Sequence, residues 1–156
     1  MKVAIGGDHA GFELKEALRE YIGKLGHETL DEGAFKYDAL DDYPDFAYAV
    51  ARAVVDGTVD RGVVVCGSGI GAGIAANKVR GIRAGICAEP YSAHQGVEHD
   101  DMNVVVVGSR VTGIEVAKEI VEAFLRARFS GEERHLRRLT KVLEIEANAG
   151  RAAAED

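Results

Sequence analysis

The stretch VVVCGSGIGAGIAANK, Val63–Lys78, decides how the chain is read. Three valines end on Cys66, and glycines then occupy every second position, at Gly67, Gly69, Gly71 and Gly73. The apolar run RGVVVCG (61–67) reads as a buried strand, and GIAANKV (73–79) reads as a helix. Between them lies a loop with few side chains. Glycine lets backbone N–H groups approach a ligand closely, and the following helix adds a partial positive charge. The loop therefore suits an anion, or an oxygen that becomes one during a reaction.

The same alternation continues in both directions. KVAIG (2–6) reads as a strand, and GFELKEALREYIGKLG (11–26) as a helix with Phe12, Leu14, Leu18, Tyr21, Ile22 and Leu25 on its apolar stripe. HETLDEG (27–33) is a second, shorter strand, and residues 43–57 form a helix with Pro44 near its start. IRAGICA (82–88) and NVVVVGS (103–109) are strands flanking a helix over PYSAHQGVEHD (90–100). A strong helix follows over 113–129. Ser130 and Glu133 have the spacing of a capping box for a last helix, whose apolar face carries Leu136, Leu139, Val142 and Leu143. Strands that alternate with helices imply a parallel sheet covered on both faces. The predicted fold is a single-domain α/β protein, a three-layer α/β/α Rossmann-like arrangement with a five-stranded parallel sheet and a C-terminal helix. Residues 1–146 form the domain, and the Ala-rich tail 147–156 is expected to fray.

Composition narrows the function classes. The 156 residues carry a net charge of -7, which argues against a general nucleic-acid surface. No apolar stretch approaches the roughly 20 residues that span a bilayer, so no membrane partner is expected. The N-terminus, MKVAIGGDHAGFELK, meets charge and glycine too early for a signal peptide, and the expected location is cytoplasmic. With two cysteines and no secretory signal, a structural disulfide is not expected.

In a parallel sheet the ligand sits at the carboxyl ends of the strands. That rule collects Asp8 and His9 after the first strand, Cys66 and the glycines after the third, Glu89 after the fourth, and Ser109 and Arg110 after the fifth. Several chemistries compete for the loop. GSGIGA (67–72) matches the dinucleotide pattern G-x-G-x-x-G/A, and Glu89 lies 22 residues after Gly67, near the offset of a ribose-binding acid. Against this, the motif follows the third strand rather than the first, and no second nucleotide half follows. Thiol phosphatase chemistry requires an arginine where this chain has Ala72. Proton transfer is the third option. A thiol at a helix N-terminus can have a depressed pKa and act as a base beside N–H groups that stabilise an oxyanion. The plainest alternative is that the glycines make a tight turn and let the helix pack closely, with Cys66 inert.

Other residues are read the same way. Cys87, inside an apolar strand, is inert. Asp8 beside His9 is placed to orient the imidazole. His94 and His99 lie five apart, the wrong spacing for one helix face, so no metal site is expected despite Asp100 and Asp101. Arg134 and Arg138 lie four apart, and with His135 and Arg137 they form a basic cluster suited to a phosphate, or a solvated helix face.

Taken together, GGDHAGFELK, DYPDFA, CGSGIGAGIAANKVRGIRA, EPYSA, EHDDMNVVVVGSRV and ERHLRRL resemble the family of type B ribose-5-phosphate isomerases with galactose-6-phosphate and allose-6-phosphate isomerases. The resemblance runs from Met1 to about Ile145. It implies an aldose–ketose isomerase in which Cys66 moves the proton between C1 and C2. Gly67, Ser68, Gly69, Ile70 and Gly71 would hold the enediolate oxygen, and His99 would donate a proton for ring opening. Asp8, His9 and Tyr43 would contact the sugar. Arg110, Arg134 and Arg138 would bind the phosphate. The resemblance implies no metal or organic cofactor, and a homodimer or homotetramer whose sites are shared between chains. The expected substrate is ribose 5-phosphate. The alternatives are a six-carbon phosphosugar and a non-catalytic phosphosugar-binding module. Ala72 stands where a second branch of the family carries a glutamate base. Asp100 stands where the family usually has asparagine, which replaces a hydrogen-bond donor in the substrate site by an acceptor.

Overall fold

Successive residues of the third strand face opposite cores. The structure, a computed structural model, describes residues 1–149. In it β3 (Arg61–Cys66) sends Val63 and Val65 into one core and Val64 and Cys66 into the other. Strands β1 (Lys2–Gly7) and β5 (Val104–Gly108) split likewise, with Val3, Ile5, Val105 and Val107 against Ala4, Val104 and Val106. Side chains alternate along a strand, so a strand apolar at every position is buried on both faces. Helices α1 (Phe12–Lys24), α4 (Pro90–Asp100) and α5 (Ile114–Arg126) cover the first face. Helices α2 (Tyr43–Val55) and α3 (Ile70–Ala76) cover the second. These are the three layers expected.

All strand pairs are parallel, in the order β2-β1-β3-β5-β4, with β2 at Glu28–Asp31 and β4 at Ala84–Ile86. The chain moves from β1 outward to β2, then returns across β1 to β3. That reversal opens a crevice at the carboxyl ends of β1 and β3. The register makes the central strands end together, since Gly7 lies beside Val65 and Cys66 beside Gly108. Asp8, Cys66 and Ser109 therefore reach one edge of the sheet.

Several local expectations are corrected. Helix α3 starts at Ile70, not Gly73, and ends at Ala76. Gly69 holds φ +85°, a left-handed conformation that suits glycine, and the chain enters the helix immediately after it. The bare loop is thus only Gly67–Gly69, and Gly71 and Gly73 are helical. Strand β4 is shorter than 82–88 because it is an edge strand with one partner, β5. The last helix, α6 (Glu133–Asn148), has Glu132 as its N-cap and no side-chain cap. Ser130 does not form the capping box. Its hydroxyl bonds His135 Nδ1 and accepts the Glu132 N–H at 3.2 Å instead. Helix α6 also continues past residue 146, so the start of the expected frayed tail is helical, and residues 150–156 lie outside the described residues.

The predicted apolar face of α6 is not covered. Leu136, Val142 and Leu143 remain 49%, 50% and 42% exposed, and His135 is the buried residue of the helix. On α1, Leu14, Leu18 and Ile22 are buried as expected, while Phe12, Tyr21 and Leu25 are half-buried. Lys15, which the apolar stripe omits, is fully buried. Its ammonium donates to Asp31 at 2.9 and 3.1 Å and to the Ala34 carbonyl at 2.8 Å, and lies 2.7 Å from Glu16. It fastens α1 to the end of β2. Among the described residues no helix is long and apolar enough to cross a membrane.

Candidate functional site

The site forms where β1, β3 and β5 end. The Cys66 thiol is buried and donates to Asp8 Oδ2 at 3.3 Å. Asp8 is buried too, and its other oxygen accepts the Gly11 N–H at 3.0 Å, which fixes the carboxylate at the start of α1. Beyond β5, Ser109 N–H donates to the Cys66 carbonyl at 2.8 Å and Ser109 Oγ to the Ala10 carbonyl at 2.6 Å. Arg110 N–H donates to the Gly67 carbonyl at 2.9 Å, and the exposed Arg110 side chain lies along Gly67. Three consecutive strand ends are thereby tied together around one thiol.

The electrostatics at Cys66 correct an expectation. Its pKa is raised, not depressed. Burial is the largest cause, and the neighbouring Asp8 carboxylate adds to it by accepting the thiol proton and by repelling a thiolate. The N–H groups of Gly67 and Gly69 pull the other way but do not prevail. The resting group is a thiol hydrogen-bonded to a carboxylate.

His9 also has a different partner from the one expected. Asp41, not Asp8, bonds its ring: Asp41 Oδ1 lies 2.6 Å from Nδ1 and accepts the His9 backbone N–H at 2.9 Å. The pKa of His9 is raised, mainly by that bond; Asp8 adds to the rise, while partial burial and Arg110 oppose it. Asp41 is the contact in this site that sequence reasoning missed. Thirty-two positions separate it from His9, and no local pattern marks it. Tyr43, at the start of α2, packs over the first turn of α3. A Cβ on Gly71 would sit 2.6 Å from the Tyr43 ring, and one on Gly73 would sit 2.9 Å from Ile86. For these two glycines close packing is the explanation. Ser68 and Ile70 are exposed at the mouth of the turn.

A second group of predicted residues lies elsewhere. Helix α4 runs back from the end of β4 to the start of β5, so His99 and Asp100 sit at the amino edge of the sheet. The neighbouring Asn103 and Asp101 bond Gly81 and Arg83, which precede β4. His99 stacks on His135 with ring centroids 4.0 Å apart, and its Nδ1 meets Gln95 at 3.0 Å. His135 is 1% exposed, its Nε2 has no partner, and burial first, then His99, lowers its pKa. Arg134 pairs with Glu132 at 2.9 Å, and Arg138 is exposed one turn later. Within one chain, therefore, Arg110 does not join Arg134 and Arg138, and His99 does not face Cys66. The length of β5, about 16 Å, separates the two edges.

Other features find plain roles. Glu89 caps α4, accepting the Ser92 N–H at 2.9 and 3.1 Å, which removes the ribose-binding acid from the dinucleotide reading. Burial raises the Cys87 pKa to about 11, in keeping with an inert thiol. Among the described residues no three His, Cys, Asp or Glu side chains gather as a metal site. A cavity of about 460 Å³ opens beside β4, between α4 and α6. Its walls include Ile86, Cys87, Met102, Leu139 and Val142, together with Arg83 and the predicted site residue Asp100.

Known proteins share this fold. Residues 3–142 match the Ribose/Galactose Isomerase family. Ribose-5-phosphate isomerase B of Escherichia coli (strain K12) is 46% identical over 145 residues, 93% of this chain and 96% of that protein. D-erythrulose-4-phosphate isomerase of Pectobacterium atrosepticum is 42% identical over 134 residues, 84% of this chain and 86% of that one. The structure of Clostridium thermocellum ribose-5-phosphate isomerase B superposes with a TM-score of 0.92 at 45% identity, covering 96% of this chain and 99% of the other. The crevice at the strand reversal, the thiol at its mouth and similarity along nearly the whole chain have one explanation: this chain belongs to the ribose/galactose isomerase family.

Proposed function

We propose that the protein interconverts D-ribose 5-phosphate and D-ribulose 5-phosphate, with Cys66 as the acid–base group. The observation that carries this reading is the Cys66–Asp8 pair at the mouth of a turn lined by backbone N–H groups. Asp8 takes the thiol proton, and the Cys66 thiolate removes the proton from C2 of the open-chain aldose. The C2–H electron pair forms the C1=C2 bond, and negative charge moves to O1. N–H groups of the Gly67–Gly71 segment stabilise that charge. Cys66 then returns the proton to C1 while the O2 proton passes to O1, the ketose carbonyl forms at C2, and Asp8 gives its proton back to the Cys66 thiolate. The sequence consumes no oxidant and needs no cofactor.

The remaining roles follow the family resemblance and the geometry. Asp8, His9 and Tyr43 contact the sugar, Ser68 and Ile70 line the turn, and Arg110 holds the phosphate. His99 donates the proton that opens the sugar ring, with Asp100 beside it, and Arg134 and Arg138 complete the phosphate site. Because these last four lie on the opposite edge, a complete site takes one edge from each of two chains. The working unit is a homodimer or homotetramer, in keeping with the uncovered apolar face of α6. The expected location is the cytoplasm.

Incubation with aldose phosphates in deuterium oxide tests the reading. Ribose 5-phosphate should gain deuterium at C2 with turnover, ahead of allose 6-phosphate, galactose 6-phosphate and a four-carbon aldose phosphate. Faster exchange with another sugar moves the assignment to it, and binding without exchange leaves a phosphosugar-binding module.

A further inference from the structure

The loop between β2 and α2 reaches across the crevice and places a carboxylate under His9. We propose that Asp41 is a positioning residue of the isomerase, holding His9 by Nδ1 and by its backbone N–H so that Nε2 is the ring edge offered to the phosphosugar. The inference rests on the reading above that His9 touches the substrate.

One oxygen carries the arrangement. Asp41 Oδ1 takes both the ring contact at 2.6 Å and the main-chain N–H at 2.9 Å, so backbone and imidazole are fixed by the same atom. The Asp41 side chain is 10% exposed, and its second oxygen is buried with no partner among the described residues. A carboxylate kept this dry holds a cation more firmly than a solvated one does. The His9 side chain is 31% exposed, with Tyr37 of the same loop edge-on to the ring. Nε2 has no hydrogen-bond partner among the described residues, so it is the nitrogen left for a ligand.

The chemistry of the contact fixes the proton. An ionised carboxylate only accepts, so Nδ1 carries hydrogen in both forms of the ring. Neutral His9 then presents a bare Nε2, and charged His9 presents Nε2–H, which suits a phosphate or a sugar oxyanion. The charged groups around the ring are Asp41 from the β2–α2 loop, Asp8 after β1 and Arg110 after β5. Two carboxylates against one guanidinium keep the imidazolium to higher pH, and Asp41 contributes most.

The test reads His9 directly. Ring nitrogen NMR across pH should show the Nδ1–H tautomer in the wild type. In Asp41→Asn the ring should titrate at lower pH and take up the Nε2–H tautomer. Turnover of ribose 5-phosphate should follow, with kcat/KM about tenfold lower above neutrality, mainly through KM, and closer to wild type below it, where the ring is charged in both proteins. Asp41→Glu, which keeps the charge, should recover part of the loss. Identical His9 titration and tautomer in Asp41→Asn would overturn the proposal. So would a drop in kcat/KM equal at every pH, which marks a purely structural role. His9→Asn separates the two readings. If it keeps full activity, the place of His9 in the site falls, while the ring titration still reports whether Asp41 holds it.

Discussion

The two edges of the sheet are built differently. At the carboxyl edge the Cys66 thiol donates to Asp8, Asp8 accepts from the Gly11 N–H, Ser109 donates to the Ala10 carbonyl, and both the thiol and the carboxylate are buried. At the amino edge Arg134 and Arg138 stand exposed on α6, beside apolar side chains that nothing among the described residues covers. The first edge is preorganised, and its geometry follows from strands that end in register. The second is a set of unspent contacts. Under the proposed function the contrast has a reason: a proton-transfer centre needs rigid placement, while a phosphate clamp shared between two chains would form only on their association.

The largest expected effect breaks the first edge. Cys66→Ala should lower ribose 5-phosphate turnover by about 10²–10⁴-fold and leave phosphosugar binding nearly intact. Activity above about a tenth of wild type would remove Cys66 from the base role. The second experiment joins the edges. Cys66→Ala and His99→Asn chains, each inactive alone, should regain about a quarter of wild-type activity when reassociated at random. Half of the dimers would then be mixed, each with one intact site of two. No recovery would mean that each site lies within one chain.

A smaller effect belongs to the amino edge alone. Arg138→Ala should lower kcat/KM by at least about tenfold, some 1.4 kcal/mol, and weaken competition by inorganic phosphate. Lysine at that position should restore part of the loss, since it keeps the charge without the planar fork. Unchanged kcat/KM in both Arg134→Ala and Arg138→Ala would make the cluster a solvated helix face. The smallest change is one of pH dependence. Because burial and Asp8 raise the Cys66 pKa, kcat/KM should climb as pH rises above neutrality. Asp8→Asn removes a charge that opposes the thiolate, so the limb should move to lower pH even as the rate falls. A limb that stays in place in a pH–rate profile would separate it from Cys66.

How far the sequence carried depends on the range of each signal. The strands were legible because VVVC and VVVVG are apolar at every position, which only a sheet covered on both faces accommodates. Asp8, Cys66 and Arg110 could be gathered because strand ends in a parallel sheet share an edge. Asp41 could not, since its contact with His9 depends on the path of a loop. The Cys66 pKa went the wrong way because helix position was visible and burial was not. His99 and the arginines matched a motif. The direction of α4 is what sets them at the far edge.

Lys15 has a consequence for how the protein meets acid. Its ammonium is sealed from water, and Glu16 and Asp31 supply the opposing charge. The Glu16 carboxyl is held below its usual range, first by the hydrogen bond from Lys15 and then by Arg19. A depressed carboxyl contributes stability above its unfolded value and loses it as pH falls through the folded one. As pH falls below the ordinary glutamate range and through that depressed value, Glu16 takes up a proton and leaves the buried cation with one counterion fewer, so α1 should loosen from β2 before the rest of the sheet. Amide exchange followed as pH is lowered step by step below the ordinary glutamate range checks this, with α1 expected to exchange ahead of β3. Equal protection of the two would refute it. Lys15→Met, which replaces a buried ion by an apolar chain of similar length, should abolish the early opening.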